Sequence, residues 1–272
     1  RSVSLAQLLQ ALPSAQGRFL RLGGDRIIAL TQDLTRKLHG LRALADERGR
    51  IELAPVAAAA LEPWLESGAE IEIDRRFREQ LAKMERAAAL MPALPVSFEA
   101  ELRDYQLDGY RWMMRLAEWG GGACLADDMG LGKTVQVLAL LAGRRGEAGK
   151  PSLVVAPRSL LFNWKREAAR FAPDLRLMEH TGGDRRPPGP HWAAFDLVLT
   201  TYGTLRRDAE ALAAVELDYL ILDEAQAIKN GASETARAVR TLAPARRLAL
   251  SGTPVENHLG ELWSLFEFLN PG

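Results

Sequence analysis

The sequence predicts an α/β fold, a mostly parallel sheet flanked by helices, preceded by a small α/β or mostly helical accessory module. Three observations predict it. From about Phe98 onward, short and nearly unbroken apolar runs alternate with segments of helical periodicity. The polar motifs of this half all fall at the carboxyl ends of those runs, where open parallel sheets bind ligands. Before Phe98 the pattern differs and is rich in Ala, Leu, Arg and Glu.

In the first 96 residues, Leu5, Leu8, Leu9 and Leu12 recur at helical spacing. Phe19-Leu20 and Ile27 to Leu30 flank Gly23-Gly24 and read as a β-hairpin. Leu34, Leu38, Leu41 and Leu44 mark a second helix, Ala57–Ala60 reads as plain helix, and Phe77 to Leu90 marks a third helix. Pro92 and Pro95 mark a linker, so the accessory module is assigned to residues 1–96 and the sheet-containing lobe to 97–272. In that lobe the expected strands are Gly122–Ala126, Ser152–Ala156, Leu175–His180, Leu197–Thr201, Tyr219–Leu222 and Arg247–Ser251. The expected helices are Tyr105–Glu118, Lys133–Arg144, Leu160–Phe171, Thr204–Ala214, Ala232–Leu242 and Leu259–Phe268. The Pro-rich run Arg185–Pro190 is expected to form a mobile, irregular surface loop.

Composition narrows the function. With 35 basic and 35 acidic residues the formal net charge is zero, so any nucleic-acid site must be a local patch. A single cysteine, Cys124, leaves no disulfide framework or Cys-rich zinc site and is expected to be an inert core residue in a reducing compartment. His39, His180, His191 and His258 lack ligand spacing. No run of about 18 apolar residues is present, so no membrane span is expected.

Two motifs carry chemistry. In Asp127-Asp128-Met129-Gly130-Leu131-Gly132-Lys133-Thr134, a strand runs into a Gly-containing loop and then into a helix. Gly130 and Gly132 let backbone N–H groups turn toward phosphate, the helix N-terminus adds partial positive charge, Lys133 reaches the β and γ phosphates, and Thr134 holds Mg²⁺. Asp127 stands where the general loop pattern has its first glycine. A Gly-rich turn that merely caps a core helix is the competing reading. The second motif is Asp223-Glu224, delivered by the apolar strand Tyr219–Leu222. Asp223 is assigned to Mg²⁺ and Glu224 to orienting and deprotonating the attacking water. Taken alone, the pair could instead cap the next helix.

Together these motifs resemble those of the Swi/Snf-like branch of the superfamily-two helicase-type ATPases, over residues from about 98 to 272. The resemblance implies a RecA-like ATP-binding lobe, the first of two, that couples ATP hydrolysis to movement on double-stranded DNA, in a cytoplasmic, nucleoid-associated bacterial protein. Arg103 to Gly109 is similar to the family's adenine motif, with Gln106 as the adenine amide, and an acid at the Asp127 position is usual in the family. The resemblance assigns Gln106, Asp128, Met129, Gly130, Leu131, Gly132, Lys133 and Thr134 to ATP, and Thr134 and Asp223 to Mg²⁺. Val154-Val155-Ala156-Pro157 with Asn163-Trp164, and Thr200-Thr201-Tyr202, resemble motifs that touch the DNA backbone. Ser251-Gly252-Thr253-Pro254, with Glu256-Asn257, resembles the motif joining nucleotide to DNA, and Gln226, Ser251 and Thr253 are assigned to that coupling. Gln226 stands where many members carry His, which leaves a hydrogen-bonding but uncharged group.

The candidate DNA-phosphate contacts are Arg158, Ser159, Lys165, Thr201 and Thr253; for Lys165 and Arg166 a solvated helix face is the competing reading. Trp112 and Trp164 are expected to be packing residues. Both ends read as cuts from a longer protein, so the isolated chain is expected to lack a second lobe with its arginine and to hydrolyse ATP poorly. Residues 1–96 are a candidate surface for a protein partner. A strand-separating DNA or RNA helicase is one alternative. A non-catalytic interaction module is the other, and intact Lys133, Thr134, Asp223 and Glu224 argue against it.

Overall fold

The computed structural model describes residues 3–15, 17–22, 26–42, 75–145, 149–253 and 259–271. Gly23-Gly24, Leu44, Ala57–Ala60 and His258 lie outside the described residues. The chain forms two compact units, Arg1–Glu79 and Gln80–Gly272, so residues 80–96 belong with the lobe.

In the first unit, helix α1 (Leu5–Ala11) starts at Ser4 because the Ser4 hydroxyl accepts from Gln7 N–H while the Gln7 side chain accepts from Ser4 N–H. Strands β1 (Phe19–Leu22) and β2 (Arg26–Ala29) pair antiparallel, with Phe19 opposite Ala29 and Leu22 opposite Arg26. Helix α2 (Gln32–Arg42) follows. The leucine spacing read from the sequence becomes one small core of Leu9, Leu12, Leu20, Leu22, Leu30, Leu38 and Leu41. Helix α3 (Arg75–Ala89) carries the chain into the second unit.

The second unit contains α4 (Asp104–Trp119), β3 (Ala123–Leu125), α5 (Lys133–Gly143), β4 (Ser152–Ala156), α6 (Arg158–Phe171), β5 (Leu177–His180), β6 (Leu197–Thr201), α7 (Tyr202–Ala213), β7 (Tyr219–Leu222), α8 (Glu234–Arg240), β8 (Arg246–Leu250) and α9 (Leu259–Leu269). The strands form one parallel sheet in the order β3-β8-β7-β4-β6-β5. Successive residues of β4 point to opposite faces, and all are buried. Val154 and Ala156 join a core with Leu138 and Trp164, while Leu153 and Val155 join one with Leu205 and Val239. A strand covered on both faces must be apolar throughout, which is why these strands read as unbroken runs.

Caps set the helix boundaries that periodicity leaves open. Helix α6 begins at Arg158, two residues before the expected start, because Pro157 takes the cap position at φ −54°. Helix α7 begins at Tyr202 because the Thr201 hydroxyl accepts from Thr204 N–H. Helix α8 starts two residues later than expected because the Ser233 side chain caps it at Ala236 N–H. Strand β5 starts at Leu177 because Leu175 N–H is drawn into a turn on Ala172 O.

Residues 185–189 are irregular and near the surface, as expected, and the run is anchored at both ends. Arg185 forms a two-pronged ion pair with Asp208, its Nε 2.7 Å from Oδ2, and Pro190 opens a short 3-10 helix ending at Ala194. Proline fits the first turn of a helix because its missing N–H would have no partner there. Trp192 in that turn is buried with its ring edge-on to His180, which in turn contacts Asp208 at 2.8 Å.

The amino-end side of the sheet is closed by paired charges. Asp218, just before β7, is buried between Arg144 (Nε to Oδ2, 3.2 Å) and Arg246 (Nη1 to Oδ1, 2.6 Å), and both guanidinium groups lie over the Tyr219 ring. Arg176 similarly clasps Asp196 before β6.

On the opposite side, α4, α5 and the loop after β3 interlock. Gln136, wholly buried on α5, donates from Nε2 to Asp127 Oδ2 at 2.9 Å. Its Oε1 lies where α4 passes, only 2.0 Å from where a Cβ on Gly109 would sit. Asp127 thus has a structural task at a position where a glycine would leave Gln136 without that acceptor.

Two outcomes follow. Asp218→Ala, which strands two arginines, lowers stability by about 3 kcal/mol in urea denaturation, at the low end for a broken buried pair because Arg246 keeps some water contact. Gly109→Ala, although better for an isolated helix by about 1 kcal/mol, destabilises the chain by roughly 1–3 kcal/mol because Gln136 must be displaced. An unchanged denaturation midpoint in either variant contradicts the corresponding packing account.

Candidate nucleotide site

Strand β8 pairs with β3 on one side and β7 on the other, with Leu125 opposite Leu250 and Leu222 opposite Ala249. The loops after these three strands therefore open side by side. They carry Asp127–Thr134, Ser251–Thr253 and Asp223–Glu224.

In the first loop, Gly130 has φ 84° and Gly132 has φ 80°, left-handed conformations that a side chain would strain. Gly132 also has Gln106 Nε2 within 2.5 Å of a would-be Cβ, so the loop is pressed against α4. With glycine at the cap position, no side chain caps α5, which leaves the helix end open to an outside acceptor. Lys133 Nζ donates to Asp127 O at 2.6 Å and Asp128 O at 3.1 Å, so its ammonium sits over the loop on oxygens that phosphate can replace. Met129 and Leu131 are exposed, and Thr134 is half-buried. Gln106 is buried, accepting from Arg103 N–H at 3.0 Å and donating to Leu131 O at 3.0 Å. Tyr105 also donates to Leu131 O, at 3.0 Å, a contact the sequence reading missed. Each end of the Gln106 amide is used once, leaving one N–H and one lone pair.

The acidic pair is held differently. Asp223 is 8% exposed; its Oδ2 accepts from Trp164 Nε1 at 2.8 Å and its Oδ1 from Glu224 N–H at 3.0 Å. Burial pushes its carboxyl above the ordinary aspartate range, and Glu224 adds to that, while the indole bond and the Lys133 charge oppose it. A cation at this carboxylate offsets the desolvation that raises it. Tyr202 donates to Asp223 O at 2.7 Å, and burial pushes its phenol well up, so it remains a donor. Glu224 has φ 51°, the one positive-φ non-glycine residue among those described, and makes no side-chain cap to the following 3-10 turn. The helix-capping alternative for this pair therefore fails. Gln226 Nε2 donates to Glu224 Oε2 at 2.6 Å, and Ser251 Oγ reaches Gln226 Oε1 at 3.5 Å. Ser251 in turn accepts from Thr253 N–H at 3.2 Å. A Cβ at Gly252 would stand 4.0 Å from Lys133 Nζ, so the middle loop passes close to the ammonium.

Thr134 and Asp223 offer a hydroxyl and a carboxylate, hard oxygen donors suited to Mg²⁺ together with substrate oxygens and water. Among the described residues, no group of three or more His, Cys, Asp or Glu side chains could hold a metal ion alone. That donor set fits an ion that arrives with a phosphate ligand.

The expected DNA contacts are distributed more widely. Arg158 and Ser159 are exposed in the first turn of α6, and Thr253 is exposed. Lys165 is already paired with Glu179 at 2.5 Å, and that bond holds the Glu179 carboxyl below its usual range. The Thr201 hydroxyl is engaged as the cap of α7. Pro254, Glu256 and Asn257 lie outside the described residues.

Several expectations need correction. Trp164 is packed, at 1% exposure, but it also holds the Asp223 carboxylate, which packing alone does not describe. Trp112, read as a packing residue, is 39% exposed. Cys124 is half-buried, and burial raises its thiol pKa, in keeping with an unreactive side chain. Gln136 escaped the sequence reading because a glutamine on a helix carries no sign of what it faces.

The family model for the SNF2-related domain matches residues 105–272. YwqA of Bacillus subtilis, whose name places it among ATP-dependent helicase/translocases, is 45% identical over 214 residues, covering 76% of this chain and 23% of YwqA. The TATA-binding protein-associated factor MOT1 of Saccharomyces cerevisiae is 36% identical over 240 residues, covering 82% of this chain and 13% of MOT1. Among solved structures, the SWI2/SNF2 ATPase core of Sulfolobus solfataricus in complex with double-stranded DNA is 43% identical with a TM-score of 0.62, covering 67% of this chain and 38% of that one. No helix among the described residues is long and apolar enough to cross a membrane. The chain thus spans well under half of these relatives, and by the match over residues 105–272 it belongs to the SNF2 family.

Proposed function

We propose that this chain is the first ATP-binding lobe of a translocase that couples ATP hydrolysis to movement along double-stranded DNA. The observation that carries this reading is the meeting of Lys133, Asp223, Glu224 and Ser251 on three adjacent strand ends. The relatives' names and the DNA in the Sulfolobus complex support it.

In this reading the loop N–H groups from Asp128 to Thr134 and the Lys133 ammonium grip the phosphates of ATP, Lys133 giving up its bonds to Asp127 and Asp128 carbonyls. Gln106 reads adenine with its remaining N–H and lone pair. Thr134 and Asp223 hold Mg²⁺, which when bound supplies positive charge against the phosphate oxygens. Glu224, steadied by Gln226, orients water and takes its proton. Gln226, Ser251 and Thr253 form a hydrogen-bonded path from that carboxylate to an exposed residue facing the track. Arg158, Ser159, Lys165, Thr201 and Thr253 contact DNA phosphates, Lys165 exchanging Glu179 for phosphate. An arginine from a second lobe completes charge stabilisation, so this chain alone turns ATP over slowly.

Two variants test the assignment. Lys133→Ala should weaken ATP binding by about tenfold or more, measured by calorimetry; equal affinity in the variant removes the loop from the site. Glu224→Gln should keep ATP affinity while lowering turnover by about 10²–10⁴, measured as phosphate release with duplex DNA present. Stimulation by single strands or RNA in place of duplex would favour a strand-separating or RNA-dependent enzyme.

A further inference from the structure

Asp223 is gripped by two aromatic donors from two different helices. The Trp164 indole, on the second turn of α6, donates to the carboxylate Oδ2 at 2.8 Å. The Tyr202 hydroxyl, at the first residue of α7, donates to the Asp223 carbonyl at 2.7 Å. With Oδ1 held by Glu224 N–H at 3.0 Å, neither the carboxylate plane nor the backbone beneath it is free to turn. Each carboxylate oxygen still keeps a lone pair for a metal ion.

The indole bond is not simply what burial demands of a tryptophan. Trp192 is equally buried in the same unit, and its Nε1 has no hydrogen-bond partner among the described residues. The Trp164 indole, by contrast, is aimed at the carboxylate assigned to Mg²⁺. Hydrogen bonds of this kind set the orientation of a metal-binding side chain, and their loss commonly costs 10–100-fold in metal affinity.

We propose that Trp164 and Tyr202 are positioning residues for the Mg²⁺ site, Trp164 orienting the Asp223 side chain and Tyr202 its backbone. The proposal rests on the nucleotide-site reading above. It predicts a specific defect: ATP without metal binds as before, while the gain in affinity on adding Mg²⁺ shrinks.

The test compares ATP affinity in EDTA and in Mg²⁺ for the 272-residue chain by calorimetry. Trp164→Phe keeps an aromatic ring and removes the N–H; Tyr202→Phe removes one oxygen. The expected result is an EDTA affinity within about twofold of the parent, with the Mg²⁺ gain reduced about tenfold in Trp164→Phe and by a smaller factor in Tyr202→Phe. In an Asp223→Asn background, Trp164→Phe should cause little further loss of the Mg²⁺ gain. An undiminished Mg²⁺ gain in both variants overturns the proposal. Equal losses with and without Mg²⁺ also overturn it, because a collapsed pocket gives that pattern. Should Trp164→Phe not fold, Tyr202→Phe carries the same comparison. If the parent chain and Lys133→Ala bind ATP equally, it is the nucleotide-site reading that fails, a result distinct from the other two.

Discussion

The position of β8 between β3 and β7 is the constraint on which the site depends. Neighbouring strands lie about 4.8 Å apart, so the loop with Lys133 and the turn with Asp223 are separated by about two such spacings, with Ser251 between them. No single loop contains the chemistry. It arises because three parallel strands, distant in sequence, end in register on one side of a sheet buried on both faces. Gln226 makes that adjacency visible: one amide touches Glu224 from β7 and Ser251 from β8.

The two ends of the sheet are treated differently. At the amino ends, carboxylates meet guanidinium groups of the same chain, as Asp218 does with Arg144 and Arg246. At the carboxyl ends, Lys133 hydrogen-bonds neutral carbonyls, and Asp223 is buried beside another acid, with burial outweighing the Lys133 charge that acts on it. Ion pairs within the chain thus close one side of the sheet, and the other side keeps charges that a polyanion with a divalent ion would satisfy. Helices α6 and α7 each send one hydrogen bond to Asp223, and the candidate DNA contacts Arg158, Ser159 and Thr201 stand at the starts of those same helices.

Much of this was legible in the sequence. Strands Ser152–Ala156, Leu197–Thr201 and Tyr219–Leu222 occur at the residues where unbroken apolar runs put them, since a doubly covered strand admits few polar residues. The loop Asp127–Thr134 and the pair Asp223-Glu224 stood out in the sequence by residue type and spacing, and the structure brings them to neighbouring strand ends. Strand order was not, because apolar runs do not encode their neighbours. Helix starts at Arg158, Tyr202 and Glu234 depended on single capping groups that periodicity ignores. The role of Trp164 was hidden for another reason: an indole reads as apolar bulk, and only the coordinates give the direction of its one polar hydrogen.

The interlock of Gly109, Asp127 and Gln136 reaches beyond its own packing. A phosphate loop transplanted from an ATPase with glycine at the Asp127 position would leave a buried amide with only its long bond to Gly132 O, and adding bulk at Gly109 would collide with that same amide. These three positions, scattered over 28 residues and three segments, are best exchanged together when chimeras are built or ancestral sequences are reconstructed.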